Sequence, residues 1–120
     1  MINFEGMTNE TAMKILNNPT PQNILESYNF PYQLKEEQIN SYQENGFISL
    51  KNVLTGEALS YARKVMEAAV LVRKEKDKRT LSEKSQYEQS FLQCGYLAWD
   101  FPAVKDFVFG KRFAGIARDL

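Results

Sequence analysis

Residues 34–59, LKEEQINSYQENGFISLKNVLTGEAL, constrain the fold more than any other part of this chain. They spell a short amphipathic helix, a stop, a hydrophobic strand and the start of a second helix. Ile39 and Tyr42 lie three residues apart and face one way, while Glu36, Glu37, Gln38, Gln43 and Glu44 solvate the rest. Asn45 and Gly46 supply the left-handed stop that helices favour at their C-terminal ends. Phe47, Ile48, Ser49 and Leu50 are β-branched and aromatic enough for a short strand. Thr55 caps the next helix, and Glu57 complements its positive end. That helix is the longest expected, running to about Arg73 on a stripe of Leu59, Ala62, Val65, Met66, Ala69 and Val72. The charged run 73–79 mixes Glu75 and Asp77 among its bases and reads as a solvated helix end.

The remainder sorts by the same signals. Residues 1–33 are polar, rich in asparagine and punctuated by Pro19, Pro21 and Pro31. Thr8 or Asn9 caps a short helix to about Leu16, with Ala12, Ile15 and Leu16 on its apolar side. Residues 22–28 form another turn or two before Phe30 and Pro31 extend the backbone. The expected division is therefore a polar arm over 1–33 and a helical scaffold over 34–120. Residues 82–89 are polar and read as helix or loop; 90–99 are apolar and short, compatible with a strand or a buried loop. Asp100 and Pro102 open a helix whose inner side is Ala103, Val104, Phe107 and Val108. Gly110 separates it from a last helix carrying Phe113, Ile116, Ala117 and Leu120 at helical spacing. No stop signal follows that helix, so the polypeptide is expected to continue past Leu120.

Composition excludes several classes of function. At 120 residues the chain is one domain at most, and its fifteen basic and fifteen acidic side chains balance to zero. That balance gives no drive toward nucleic acid, anionic membranes or acidic substrates. No long apolar run spans a membrane, and the N-terminus lacks the hydrophobic region of a secretory signal. One cysteine, Cys94, excludes an internal disulfide, has no histidine to activate it, and suits a reducing, cytoplasmic compartment. Phe91, Tyr96, Trp99, Phe101, Phe107, Phe109 and Phe113 read chiefly as core packing. Serine-nucleophile, CxxC zinc and phosphate-loop motifs are absent.

In its order of elements, the 34–59 block resembles the N-terminal signature of the phytanoyl-CoA dioxygenase family. A second block, FLQCGYLAWDFPAVKDFVFGKRFAGIARDL at 91–120, resembles that family's pre-barrel segment: an apolar stretch with a glutamine, a Pro-Ala-Val helix, then an Ile-Ala-containing helix. Together the blocks cover about half the chain; residues 1–33 and 73–89 share nothing with the family. The resemblance implies a mostly α fold with one or two short strands. This would be the N-terminal helical part of a double-stranded β-helix (jelly-roll) oxygenase, cut before its metal-binding barrel. The parent would use Fe(II) and 2-oxoglutarate to hydroxylate a small molecule or acyl conjugate, with halogenation or another oxidative outcome open. The partner of this chain would be the missing C-terminal barrel.

Departures from the family pattern are specific. Lys35 stands where a small polar cap is usual, and Gly56 where proline is frequent. Some members place a 2-oxoglutarate-contacting lysine where this chain has Phe91, whereas Gln93 matches the family glutamine and is the one cofactor-binding candidate, at a pocket rim. The iron of such enzymes is held by two histidines and a carboxylate. This chain contains no histidine, which leaves Asp100, Asp106 and Asp119 without the partners of a facial triad. No catalytic or metal-ligating residue is assigned, and the chain alone is expected to be inactive. A second reading is a complete small α-helical interaction module, and a third is a family member that has lost catalysis.

Overall fold

Helices form where a cap and an apolar spacing coincide. In the computed structural model, which describes residues 6–91 and 93–120, α1 (Asn9–Asn17) starts at Thr8, whose Oγ1 accepts the Thr11 N–H at 3.1 Å. It buries Ala12 and Leu16. α2 (Gln22–Asn29) buries Ile24 and Tyr28. α3 (Glu36–Asn45) has Lys35 at its cap position. The Lys35 ammonium cannot accept a hydrogen bond, so only half of a capping box forms: Gln38 Oε1 accepts the Lys35 N–H at 2.8 Å. Gly46 ends α3 with φ 78°, its N–H bonded to the Tyr42 carbonyl at 2.8 Å.

The longest helix, α4 (Gly56–Lys76), begins where the Thr55 carbonyl accepts the Leu59 N–H. Gly56 takes φ 54°, a value the proline ring cannot reach, so the departure from proline follows from the backbone here. The buried stripe is Ala58, Ala62, Val65, Ala69 and Val72, joined by Ala68, while Leu59 and Met66 lie half-buried on its flank. After one 3₁₀ turn (Leu81–Glu83) come α5 (Gln86–Ser90), α6 (Leu97–Asp100), α7 (Pro102–Val108) and α8 (Lys111–Asp119).

The chain divides into two compact units that interleave in sequence. One comprises the residues up to Pro19 with Arg63–Lys105; the other comprises Thr20–Ala62 with Asp106–Leu120. The first unit buries Ala12, Leu16, Val65, Ala68, Ala69, Val72, Leu97, Phe101, Ala103 and Val104. In the second, Ile24, Tyr28, Ala58 and Ala62 form a core against which Leu54, Tyr61 and Phe107 pack. The Tyr28 ring meets Phe107 edge-on at 5.5 Å and Phe113 at 6.5 Å. Asn29 Oδ1 accepts the Lys111 N–H at 3.0 Å, tying α2 to the start of α8.

Three expectations are corrected. Residues 47–50 are neither helical nor paired, and no strand exists among the described residues; Phe47 is 74% exposed. β-propensity reports how a residue fits a sheet surface, and without a neighbouring strand there is no ladder for 47–50 to join. Neither alternative for 90–99, strand or buried loop, describes it: among its described residues there is no strand, α5 ends at Ser90, α6 begins at Leu97, and Phe91, Gln93 and Tyr96 between them are exposed. Finally, Asp100 does not cap α7. It is the last residue of α6, and Phe101 takes the cap position, its carbonyl accepting the Val104 and Lys105 N–H groups at 3.1 Å. Pro102 does sit at the first helical position, where its missing N–H costs nothing.

Candidate functional site

The C-terminal turn of α4 and the chain that follows it line a cleft of about 1100 Å³ within the first unit. Gln93, the residue singled out by resemblance, is exposed and lies on its wall together with Phe91. The cleft is chiefly basic: Arg73, Lys74, Lys76, Lys78, Arg79 and Lys84 face three acids, Glu75, Asp77 and Glu88. The acids are already committed. Asp77 receives a two-pronged contact from Arg79, Nε and Nη2 each at 2.9 Å, and Lys84 lies 3.8 Å away. Glu88 accepts Arg79 Nη1 at 2.9 Å, and Glu75 pairs with Lys78 at 3.7 Å.

Arg79 thus joins two segments that sequence alone does not connect. Glu88 has a second task, closing a reciprocal cap on α5: its Oε2 accepts the Ser85 N–H at 2.8 Å, and Ser85 Oγ accepts the Glu88 N–H at 3.2 Å. The Ser85 N–H and then the Arg79 guanidinium pull the Glu88 carboxyl down to about 2. Arg79 holds Asp77 well below the usual carboxylate range, and the two acids in turn raise Arg79. The network stays fully charged through the physiological range. On the opposite flank Arg73 pairs with Asp100 and lies 6.0 Å from the Phe101 ring centre; its Nε is buried without a hydrogen-bond partner.

Aromatic side chains behave differently from the core expectation. Phe101 is buried and Phe107 and Phe113 are half-buried, but Phe91, Tyr96, Trp99 and Phe109 are exposed. Phe91 stacks obliquely on Tyr87, with ring centres 4.9 Å apart. Tyr96 adopts φ 58°, a left-handed conformation that is strained for a bulky side chain.

The second unit holds a smaller cleft of about 200 Å³ lined by Ser27, Phe30, Val53, Leu54, Thr55, Ala58 and Arg112. Its guanidinium is occupied structurally. Arg112 Nε donates to the Val53 carbonyl at 2.6 Å, Nη1 donates to the Phe30 and Pro31 carbonyls at 2.9 and 3.0 Å, and the Tyr32 ring lies 5.0 Å away. One side chain therefore fastens two irregular segments to α8. Nothing in the spacing around Arg112 announces this, because its partners are backbone carbonyls far away in sequence.

The acidic side chains weighed for a metal site are each engaged elsewhere among the described residues. No three His, Cys, Asp or Glu side chains converge among the described residues. Asp106 accepts the Thr20 hydroxyl at 2.8 Å, Asp119 accepts Arg118 Nε at 2.8 Å, and Asp100 pairs with Arg73. No described helix is long and apolar enough to cross a membrane. Comparison with protein-family models, with curated proteins and with solved structures returned no match.

Proposed function

We propose that this chain is the N-terminal helical scaffold of a phytanoyl-CoA dioxygenase-like oxygenase. The parent would hydroxylate an unactivated C–H bond of a small molecule or acyl conjugate, with Fe(II) and 2-oxoglutarate held by a barrel beyond these residues. Gln93 would stand at the rim of its pocket. The order of helices supports this reading: α3, the Gly46 stop and α4 follow one another as in the first resembling block, with 47–50 between them unpaired rather than a strand, and α7 and α8 follow the second block.

The observation that carries it is a set of uncovered aromatic rings inside the two resembling blocks. Phe47 is 74%, Tyr96 82% and Trp99 76% exposed. Each such ring gains about 2 kcal/mol when covered by an apolar surface, and a barrel sheet is a surface of that kind. In this arrangement the chain contributes position rather than chemistry. Arg112 would set the path of the segments entering the sheet.

The test is to read the coding frame past Leu120 for a His-x-Asp pair followed by a distant histidine and an arginine. Fe(II) and 2-oxoglutarate are then titrated anaerobically into the longer product and into the 120-residue chain. A 2-oxoglutarate-dependent charge-transfer absorption is expected for the longer product alone. A frame that closes after Leu120 without those residues, or tight iron binding by this chain by itself, overturns the proposal. The exposed rings would then favour the second reading, a helical interaction module.

A further inference from the structure

The basic cleft is better built than a solvated helix end requires. Six cations face three acids, and every one of those acids is already paired with a cleft cation. Of the six, Arg73 is paired with Asp100 outside the cleft and Arg79 is held by Asp77 and Glu88, and the C-terminal end of α4 adds only about half a negative charge. Lys76 makes no ion pair among the described residues, and Lys78 and Lys84 hold theirs loosely at 3.7 and 3.8 Å. Three ammonium groups can therefore turn toward an incoming anion. Lysine suits phosphate as a compact point charge with three donors.

Beside these charges stands a flat apolar ledge. Phe91 is 59% and Tyr87 55% exposed, and their stacked rings hold each other in place. Gln89 and Gln93 supply amide donors and acceptors on the same wall. At about 1100 Å³ the open cleft has room for a small molecule. A nucleic-acid track would need a basic face along the molecule, and the chain's net charge is zero.

We propose that this cleft binds a small phosphorylated ring compound of the nucleoside polyphosphate class, with phosphates on Lys76, Lys78 and Lys84 and the ring against Phe91. The cations of the site come from 73–89, the stretch without family resemblance, whereas Phe91 and Gln93 belong to the second resembling block; the proposal does not rest on the oxygenase reading.

The test is calorimetric titration of the 120-residue chain with ATP, tripolyphosphate and adenosine as probes, without added metal. Saturable one-to-one ATP binding that weakens as salt is raised is expected. The triple variant K76Q/K78Q/K84Q should weaken ATP at least about tenfold, and K14Q/K35Q/K51Q, which removes equal charge elsewhere, by less than about twofold. Phe91→Ala should weaken ATP and leave tripolyphosphate unchanged. Absence of saturable ATP binding, or equal losses in the two triple variants, overturns the site. Tripolyphosphate binding as tightly as ATP overturns the assignment of the ring to Phe91. Circular dichroism melts of the variants confirm that each reading comes from folded protein.

Discussion

Removing the Tyr28 hydroxyl should stabilise the second unit, although Tyr28 is fully buried at its centre. The ring is 0% exposed, and its hydroxyl has no hydrogen-bond partner. The neighbouring Asp106 carboxylate accepts the Thr20 hydroxyl at 2.8 Å rather than that of Tyr28. A hydroxyl desolvated without a bond costs about 1–3 kcal/mol. Tyr28→Phe keeps the edge-on contact with Phe107 and the contact with Phe113, and leaves a void smaller than a methyl group. Allowing up to about 1 kcal/mol for that void, the net expectation is a gain of about 1 kcal/mol.

The alkaline limb gives an independent reading of the same group. Burial, then the neighbouring Tyr61 and Asp106, push the Tyr28 hydroxyl from its ordinary 10.0 up to about 12. Between those values the unfolded chain releases the proton while the folded chain keeps it. The unfolded state then binds fewer protons, so stability falls as pH rises. The loss approaches about 3 kcal/mol at the upper value, two pH units at about 1.4 kcal/mol each. Phenylalanine has no proton to lose, so the variant's advantage should widen above pH 10.0. Urea unfolding followed by far-UV circular dichroism, at neutral pH and near pH 11, measures both effects. A variant less stable than the parent by about 1 kcal/mol or more, with an unchanged alkaline slope, would show that the hydroxyl has a partner and refute the reasoning.

Two glycines should respond in a fixed order. At Gly110 an added Cβ would lie 2.6 Å from the Tyr28 carbonyl oxygen and 3.0 Å from the Phe113 ring. Because the nearer atom is backbone, Gly110→Ala should cost about 1–3 kcal/mol. At Gly46 nothing lies within 4 Å, so Gly46→Ala should cost only the left-handed conformation, about 1 kcal/mol. Equal unfolding midpoints for the two variants would contradict the close approach at Gly110. Arg112→Lys keeps the charge but loses the fork that reaches the Val53, Phe30 and Pro31 carbonyls. A loss of about 2 kcal/mol is expected in the same assay, and a change under about 0.5 kcal/mol would reduce Arg112 to a surface charge.

Local signals were legible because their causes are local. Thr8 caps α1 with its own hydroxyl, Gly46 turns left-handed by its own lack of a side chain, and Pro102 starts α7 with its own ring. The α4 stripe read correctly to within one position because a 3.6-residue period fixes which side chains share a face. Asp100 looked like a cap because its sequence neighbour is Phe101-Pro102; what it does depends on Arg73, twenty-seven residues away. Likewise 73–79 carried its charge openly, but the contact between Arg79 and Glu88 needs the turns at 77–85 to bring them together.

The amino-acid sequence by itself determined α1 to α4, α7 and α8, the Thr8 cap and Gly46 stop, most of the apolar stripe of α4 and the want of any histidine, because each rests on residues near one another or on a count. Tertiary structure alone decided four things: that 47–50 finds no strand to pair with, that Tyr28 is buried with an idle hydroxyl, that Arg112 is spent on backbone carbonyls, and that six cations line one cleft. Each of these turns on which distant groups share a few cubic nanometres of space, and a backbone ladder, a desolvated hydroxyl or a cation excess has no energy until those groups meet.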